Sequence, residues 1–286
     1  MNETLIVQPI FCPTKRMLGV QLKSMLSLHR YMQQYPMRAD ICFAGFVDRD
    51  YYDELVANIN KLFGRKSCIL LRFNKNYGKA YVVNEAIKRV LQQTNNYQYL
   101  LTFDSDICFE TNQPNLLQRL IDTSEKASKV LDKPFGLIAC NFTGDNLHWS
   151  DKFENRKQAG DEFIIWPTDP AGGIAGGCIF VSIDTWLKVG GYRVVGVYAP
   201  DDGYLMLDVY EAGYFICVLE TLFVHHPGSF DDPHYQIWKE RTMQKFTRRL
   251  MESKNQQFAP DMLRDIADCD DFWKQAKFNE DGGNCW

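Results

Sequence analysis

Residues 99–110 read YLLTFDSDICFE, and the end of this run decides how the chain is read. Five mostly apolar residues lead straight into Asp104 and Asp106, which one serine separates. Side chains alternate along a strand, so residues two apart project on the same side. If extended geometry persists through Ser105, the carboxylates converge on one point. Converging anions need a cation or they raise each other's pKa. The stretch therefore reads as a metal site, a proton-sharing pair or a solvated turn. Two other D-x-D runs exist, Asp48-Arg49-Asp50 and Asp268-Cys269-Asp270. The first starts a helix, where Asp50 is expected to cap, and the second lies in an acidic polar segment and reads as a solvated face. Only the middle pair follows a buried strand at the expected ligand edge without starting a helix at once.

The segments before it alternate between two periodicities. TLIVQPIF (4–11), ADICFAGFVD (39–48) and SCILLRFN (67–74) are continuously apolar and predict buried strands. Between them, Leu18, Leu22, Met25 and Leu26 recur at helical spacing, as do Val83, Ala86, Ile87 and Val90. YYDELVANINKLF (51–63) also reads as a helix. Strand and helix in alternation predict an α/β fold with a parallel sheet covered on both faces. Ligands of such sheets bind beyond the carboxyl ends of the strands, where Asp48, Asn74 and Asp104 stand. Further strands are expected in KPFGLIACNF, GGCIFVSIDTWLKVGGY and YFICVLETLFVHHPG, with a helix in DDGYLMLDVYEAG.

At 45% hydrophobic and 24% charged residues, the 286-residue chain has the balance of an ordinary globular protein. Its net charge of -4 supplies no global field toward nucleic acid or anionic membrane. Nine scattered cysteines, none in a C-x-x-C, fit reduced core thiols in a cytoplasmic compartment better than a disulfide or zinc framework. The N-terminus lacks the basic and apolar pattern of a signal peptide. No stretch approaches the roughly 18 apolar residues of a membrane span.

Three other segments carry chemistry. Asn76-Tyr77-Gly78-Lys79 turns into a helix containing Asn84, and a helix start beside a lysine suits an anionic ligand. The same pattern also describes a plain loop with Gly78 at positive φ. Asp201 and Asp202 precede a helix, where one of them is a natural cap. His225 and His226 end an apolar run, and strand alternation lets at most one of them face a site. Imidazole suits Mn²⁺ better than Mg²⁺.

In this order, the motifs resemble the GT-A-fold inverting glycosyltransferases, nearest the large family 2-like group that includes chondroitin-polymerase-like and polypeptide GalNAc-transferase-like enzymes. They are a first strand with proline, Asp48, Asn76/Gly78/Asn84, DSD, GGCIFVSIDTWLKVGGY, PDD and a late histidine, over residues 4–230. The resemblance implies a Rossmann-like nucleotide-binding half and an acceptor half around one mixed, mostly parallel sheet. It implies a GT-A domain over 1–233 and a C-terminal helical extension with an acidic tail over 234–286. It implies donor contacts at Pro9, Asp48, Asn76, Gly78, Lys79, Asn84, Asp104, Ser105, Gly176 and Gly177, with Asp48 at the nucleobase or ribose. Asp104 and Asp106 would hold a divalent ion, Mn²⁺ rather than Mg²⁺, with a histidine as third ligand; His225 fits better than His226. Asp202 takes the place of the catalytic base, and Asp201 replaces the family's glutamate beside it.

The expected function is transfer of a sugar from a nucleotide-sugar donor, UDP being the commonest, to a hydroxyl of a saccharide or other small acceptor. Trp166 or Trp186 offers an aromatic face for that acceptor, with core packing the simpler expectation for Trp186. The segment 239–254 carries Lys239, Arg241, Lys245, Arg248, Arg249 and Lys254 against Glu240 and Glu252. Such a basic helix also fits a nucleic-acid acceptor, as in glycosylation of hydroxylated bases of phage DNA. A sugar-phosphate nucleotidyltransferase and a non-catalytic sugar-nucleotide-binding protein are the other two classes.

Overall fold

The computed structural model describes residues 3–64, 68–94, 96–144, 155–167, 174–194, 197–198 and 201–227. The basic segment 239–254, the 233/234 boundary and the D-x-D at Asp268 lie outside the described residues.

The first half follows the predicted alternation. Strand β1 (Thr4–Cys12) leads to α1 (Lys15–Gln34), β2 (Ala39–Val47) to α2 (Arg49–Phe63), and β3 (Cys68–Phe73) to α3 (Gly78–Leu91). Strand β4 (Tyr99–Phe103) ends at Asp104 and is followed by α4 (Leu116–Leu131). Then come β5 (Phe135–Thr143), the hairpin β6 (Arg156–Ala159) and β7 (Glu162–Ile165), and β8 (Cys178–Ser182). Helices α5 (Ile183–Val189) and α6 (Asp201–Glu211) precede β9 (Phe215–His225). Among the described residues, nine strands form one sheet in the order β3-β2-β1-β4-β8-β5-β9-β7-β6. Pairing is parallel from β3 through β4 and between β5 and β9; β8 runs antiparallel to both β4 and β5.

The reversal at β8 positions the site. Because β8 opposes β4 and β5, its beginning lies at the edge where β4, β5 and β9 end. Gly176 and Gly177, Asp104 and the histidines after Val224 therefore meet at the same edge. The crossovers set the layers. Strand order reverses after β3, so right-handed connections place α3 on the face opposite α1 and α2. Tyr31 of α1 joins α4 to its own layer: its hydroxyl donates to Gln113 O (2.5 Å) and accepts from Leu116 N (2.8 Å). Asn84 of α3 is bonded to the chain between α5 and α6, which identifies the other layer.

One apolar cluster runs through the sheet, from Leu5, Ile6 and Val7 through Phe103 and Phe180 to Val218 and Val224. Pro9 is tolerated inside β1 because pairing with β4 covers only Thr4–Val7, so no ladder bond to β4 is lost at that position. Trp186 is 3% exposed and packs edge-on against Tyr192, as expected for a core residue. Trp166 is half-buried against the core, with Lys157 Nζ 5.5 Å from its ring centroid. The seven described cysteines are free thiols; Cys140 and Cys178 face each other at 3.6 Å across β5 and β8. Among the described residues, no helix is long and apolar enough to cross a membrane.

Candidate active site

The turn after β4 is held from three directions. Asp104 N donates to Gly177 O at 2.8 Å, and Ile107 N donates to Asp104 O at 3.2 Å, closing the turn around Ser105 and Asp106. From beneath, the fully buried Ser24 of α1 donates to Ile107 O at 2.5 Å and accepts from Gln8 Nε2 at 2.7 Å. Gln8 also reaches Asp104 O at 3.5 Å. Beyond the turn, Cys108 and His225 exchange both backbone bonds at 2.9 Å. The aspartates are thus fixed by a buried polar shelf. Sequence reading did not single out Gln8 or Ser24; the one amide inside the apolar run TLIVQPIF was the available signal.

Asp104, Asp106 and His226 each bring one ligand atom within 4.8 Å of the others. The histidine brought to the aspartates is thus His226 and not His225, the one expected to fit better. His225 still belongs to β9, and its Nδ1 lies 3.3 Å from Thr143 Oγ1, while His226, one residue past the strand, turns to the aspartates. Two carboxylates and an imidazole are a donor set that a divalent first-row metal ion accepts. Burial pushes the Asp104 carboxyl up to about 6, with Asp202 and Asp106 adding to the rise against the pull of Lys79.

Lys79 occupies the centre. Its Nζ is 2.8 Å from Asp104 Oδ1, 2.8 Å from Asp202 Oδ1 and 3.4 Å from Gly176 O. Burial lowers its pKa, but the carboxylates of Asp104 and Asp202 outweigh that and hold it well above the lysine range. Gly78 aims the helix that carries it: its φ is +79°, and a Cβ there would lie 2.5 Å from Val197 O. Asn76 accepts from Gly78 N at 3.0 Å and so supports the same turn.

Asp201 and Asp202 open α6. Burial, then the neighbouring charge of Asp202, pushes Asp201 up to about 7. Gly176 makes room for Asp202, since a Cβ on it would stand 2.2 Å from Asp202 Cγ. Further along α6, Arg193 Nε donates to Asp208 Oδ2 at 2.8 Å and ties the helix to the segment before it. Tyr192, wholly buried, packs near Lys79, whose Nζ is 5.5 Å from the ring centroid.

The other expected donor contacts divide into two groups. Asp48 stands at the strand-end edge but is itself the cap of α2, accepting from Asp50 N at 3.0 Å; the cap expected of Asp50 is corrected accordingly. Asn84 holds the backbone of Tyr192 with both ends of its amide, at 2.8 Å and 3.0 Å, and works as a clamp between α3 and the α5–α6 connection. Pro9 is buried within β1 opposite Ala44. Gly177 gives its carbonyl to Asp104.

No protein-family model matches the sequence, and no curated protein does. Solved structures do match by shape. The mannosyltransferase PcManGT from Pyrobaculum calidifontis, solved with GDP-Man and Mn²⁺, superposes at TM-score 0.56 and 12% identity, over 96% of this chain and 70% of that one. GalNAc-T7, solved with UDP, GalNAc and Mn²⁺, superposes at TM-score 0.53 and 11% identity, over 96% of this chain. The chain spans only 56% of the GalNAc-T7 structure. With a sheet reversed at β8 and a carboxylate pair at the end of β4, the chain has the GT-A fold of glycosyltransferases.

Proposed function

We propose that the chain is a metal-dependent inverting glycosyltransferase that uses a nucleotide-sugar donor, expected to be a UDP-sugar, and a saccharide or other small hydroxyl acceptor. The observation that carries this is the meeting of Asp104, Asp106 and His226 with Asp202 at one sheet edge, joined through Lys79. Asp104, Asp106 and His226 would hold Mn²⁺, which when bound neutralises charge developing on the diphosphate leaving group. The chain's own groups supply the rest. Asp202 takes the proton of the acceptor hydroxyl as that oxygen bonds to the anomeric carbon, and the bond to the diphosphate breaks on the opposite side. One glycoside, one nucleoside diphosphate and one proton result. Burial pushes the Asp201 carboxyl up to about 7, and it is Asp202 whose carboxylate reaches Lys79, at 2.8 Å.

The nucleic-acid reading rests on residues 239–254, outside the described residues, and the acidic net charge favours a small acceptor. Cytoplasmic residence is supported by the use of Cys12, Cys42, Cys140, Cys178 and Cys217 as buried core residues. The test is a thermal-shift screen of UDP-, GDP-, CMP- and TDP-sugars with and without Mn²⁺. Proton NMR of the product from any donor that binds then reads the anomeric configuration. Inversion with release of nucleoside diphosphate is expected. Release of pyrophosphate in place of a nucleoside diphosphate would replace sugar transfer with nucleotidyl transfer.

A further inference from the structure

Lys79 already fills, with a single positive charge, the space between the two ends of the site. Its Nζ sits at ion-pair distance from Asp104 and from Asp202, 2.8 Å each. Its side chain is only 18% exposed, so water screens the charge weakly. Asp104 also belongs to the cluster read above as the metal site. A cation entering that cluster meets an ammonium already paired with one of its ligands. We propose that Lys79 is a resident counter-cation that makes divalent-metal binding conditional on the donor, an inference that rests on the metal-site reading of Asp104, Asp106 and His226.

Like charges this close weaken one another's binding. Without donor, Lys79 satisfies Asp104 and Asp202 and opposes the metal. A diphosphate brings at least two negative charges, gives the ammonium an anionic partner and removes the opposition. Metal and nucleotide then favour each other, and linkage makes the effect reciprocal. The device also ties readiness of the donor end to the base: whatever draws Lys79 toward phosphate loosens its hold on Asp202, which is the moment at which that carboxylate must be available to an acceptor.

The test is Mn²⁺ affinity, read by electron paramagnetic resonance at pH 8 with and without UDP or GDP, in the wild-type protein and in Lys79→Met and Lys79→Arg. Wild type is expected to bind Mn²⁺ weakly alone and more tightly with nucleotide. Lys79→Met is expected to bind Mn²⁺ alone about tenfold more tightly than wild type, the effect of losing one nearby unit charge. It should bind the nucleotide more weakly, so that the mutual enhancement shrinks. Lys79→Arg keeps the charge and should behave as wild type. Lys79→Gln retains hydrogen bonding to Gly176 and Asp202 without the charge, and gives the same comparison if the methionine variant does not fold. Folded neutral variants that bind Mn²⁺ alone no more tightly than a metal-binding wild type overturn the role of Lys79 alone. Failure of every protein to bind Mn²⁺, even with nucleotide, overturns the metal site itself and this inference with it.

Discussion

Gly176→Ala should disable the site through one methyl group. A Cβ on Gly176 would lie 2.2 Å from Cγ, 2.3 Å from Oδ1 and 2.6 Å from Cβ of Asp202. Rotating the carboxylate away relieves the first two contacts but not the third, so the start of α6 has to move as well. Restoring van der Waals distance takes a displacement of about 1 Å, enough to break the 2.8 Å contact between Lys79 and Asp202. Gly176 has an ordinary φ, so the substitution adds no backbone strain and the fold is expected to survive. A base misplaced by this much costs on the order of 10²-fold in rate, or about 2.7 kcal/mol of barrier. The assay is kcat for release of nucleoside diphosphate at saturating donor, with donor-induced thermal shift as the check on binding. Gly203→Ala is the control: nothing lies within 4 Å of its added Cβ, and it sits inside α6. It should add about 0.5–1 kcal/mol of stability and leave the rate alone. A folded Gly176→Ala protein with wild-type kcat would refute the placement of Asp202 in the chemistry.

Three more outcomes follow from the same geometry. Asp202→Asn should retain donor binding and lose about 10²–10⁴-fold in transfer, measured in single turnovers; undiminished transfer removes Asp202 as base. Asp201 is protonated up to about 7 in the folded chain and only to about 4 when unfolded. Between those values the folded state binds the extra proton, so this residue's contribution makes stability fall as pH rises through that window. Urea midpoints at pH 5 and pH 8 should lie closer together in Asp201→Asn than in wild type, and an unchanged gap counts against the burial of that carboxyl. Ser24→Ala strips the Gln8 amide and the Ile107 carbonyl of a buried partner and should cost about 1–3 kcal/mol in the urea midpoint. It should also weaken Mn²⁺ binding by loosening the turn; a variant as stable as wild type would show that the shelf does not support it.

The half of the fold built by local pattern was legible. Strands β1 to β4 are apolar runs with helical spacing between them, and nothing at longer range is needed to recognise them. The hairpin β6–β7 was not, because Arg156, Lys157 and Gln158 are exposed and polar, so the identity of the strand RKQA comes from pairing with EFII. Helix α4 escaped for a related reason. Both its N-cap, Asn115, and its C-cap, Asp132, adopt left-handed conformations that no standard boundary signal announces, and its first-turn donors go to Tyr31 and Asn115 O.

The site divides along the same line between local and long-range cause. Asp104 and Asp106 were readable because a single strand delivers them. His226 was not separable from His225, because alternation predicts sides only while a strand lasts. Strand β9 slips in register against β5 between Cys140 and Asn141, and it is held at its end by the pairing of His225 with Cys108. His226 N still donates to Thr143 O at 3.0 Å, so the last ladder bond reaches the first residue past the strand, where alternation no longer fixes the direction of the side chain. Lys79 shows the same thing with charge. Its sequence neighbours mark it as a helix-start cation facing solvent or ligand; only the reversal at β8 and the placement of α6 bring Asp202, 123 residues away, to its ammonium. A carboxylate pair can be read from one strand, but the balance of charge that governs when it accepts a cation is a property of the closed sheet.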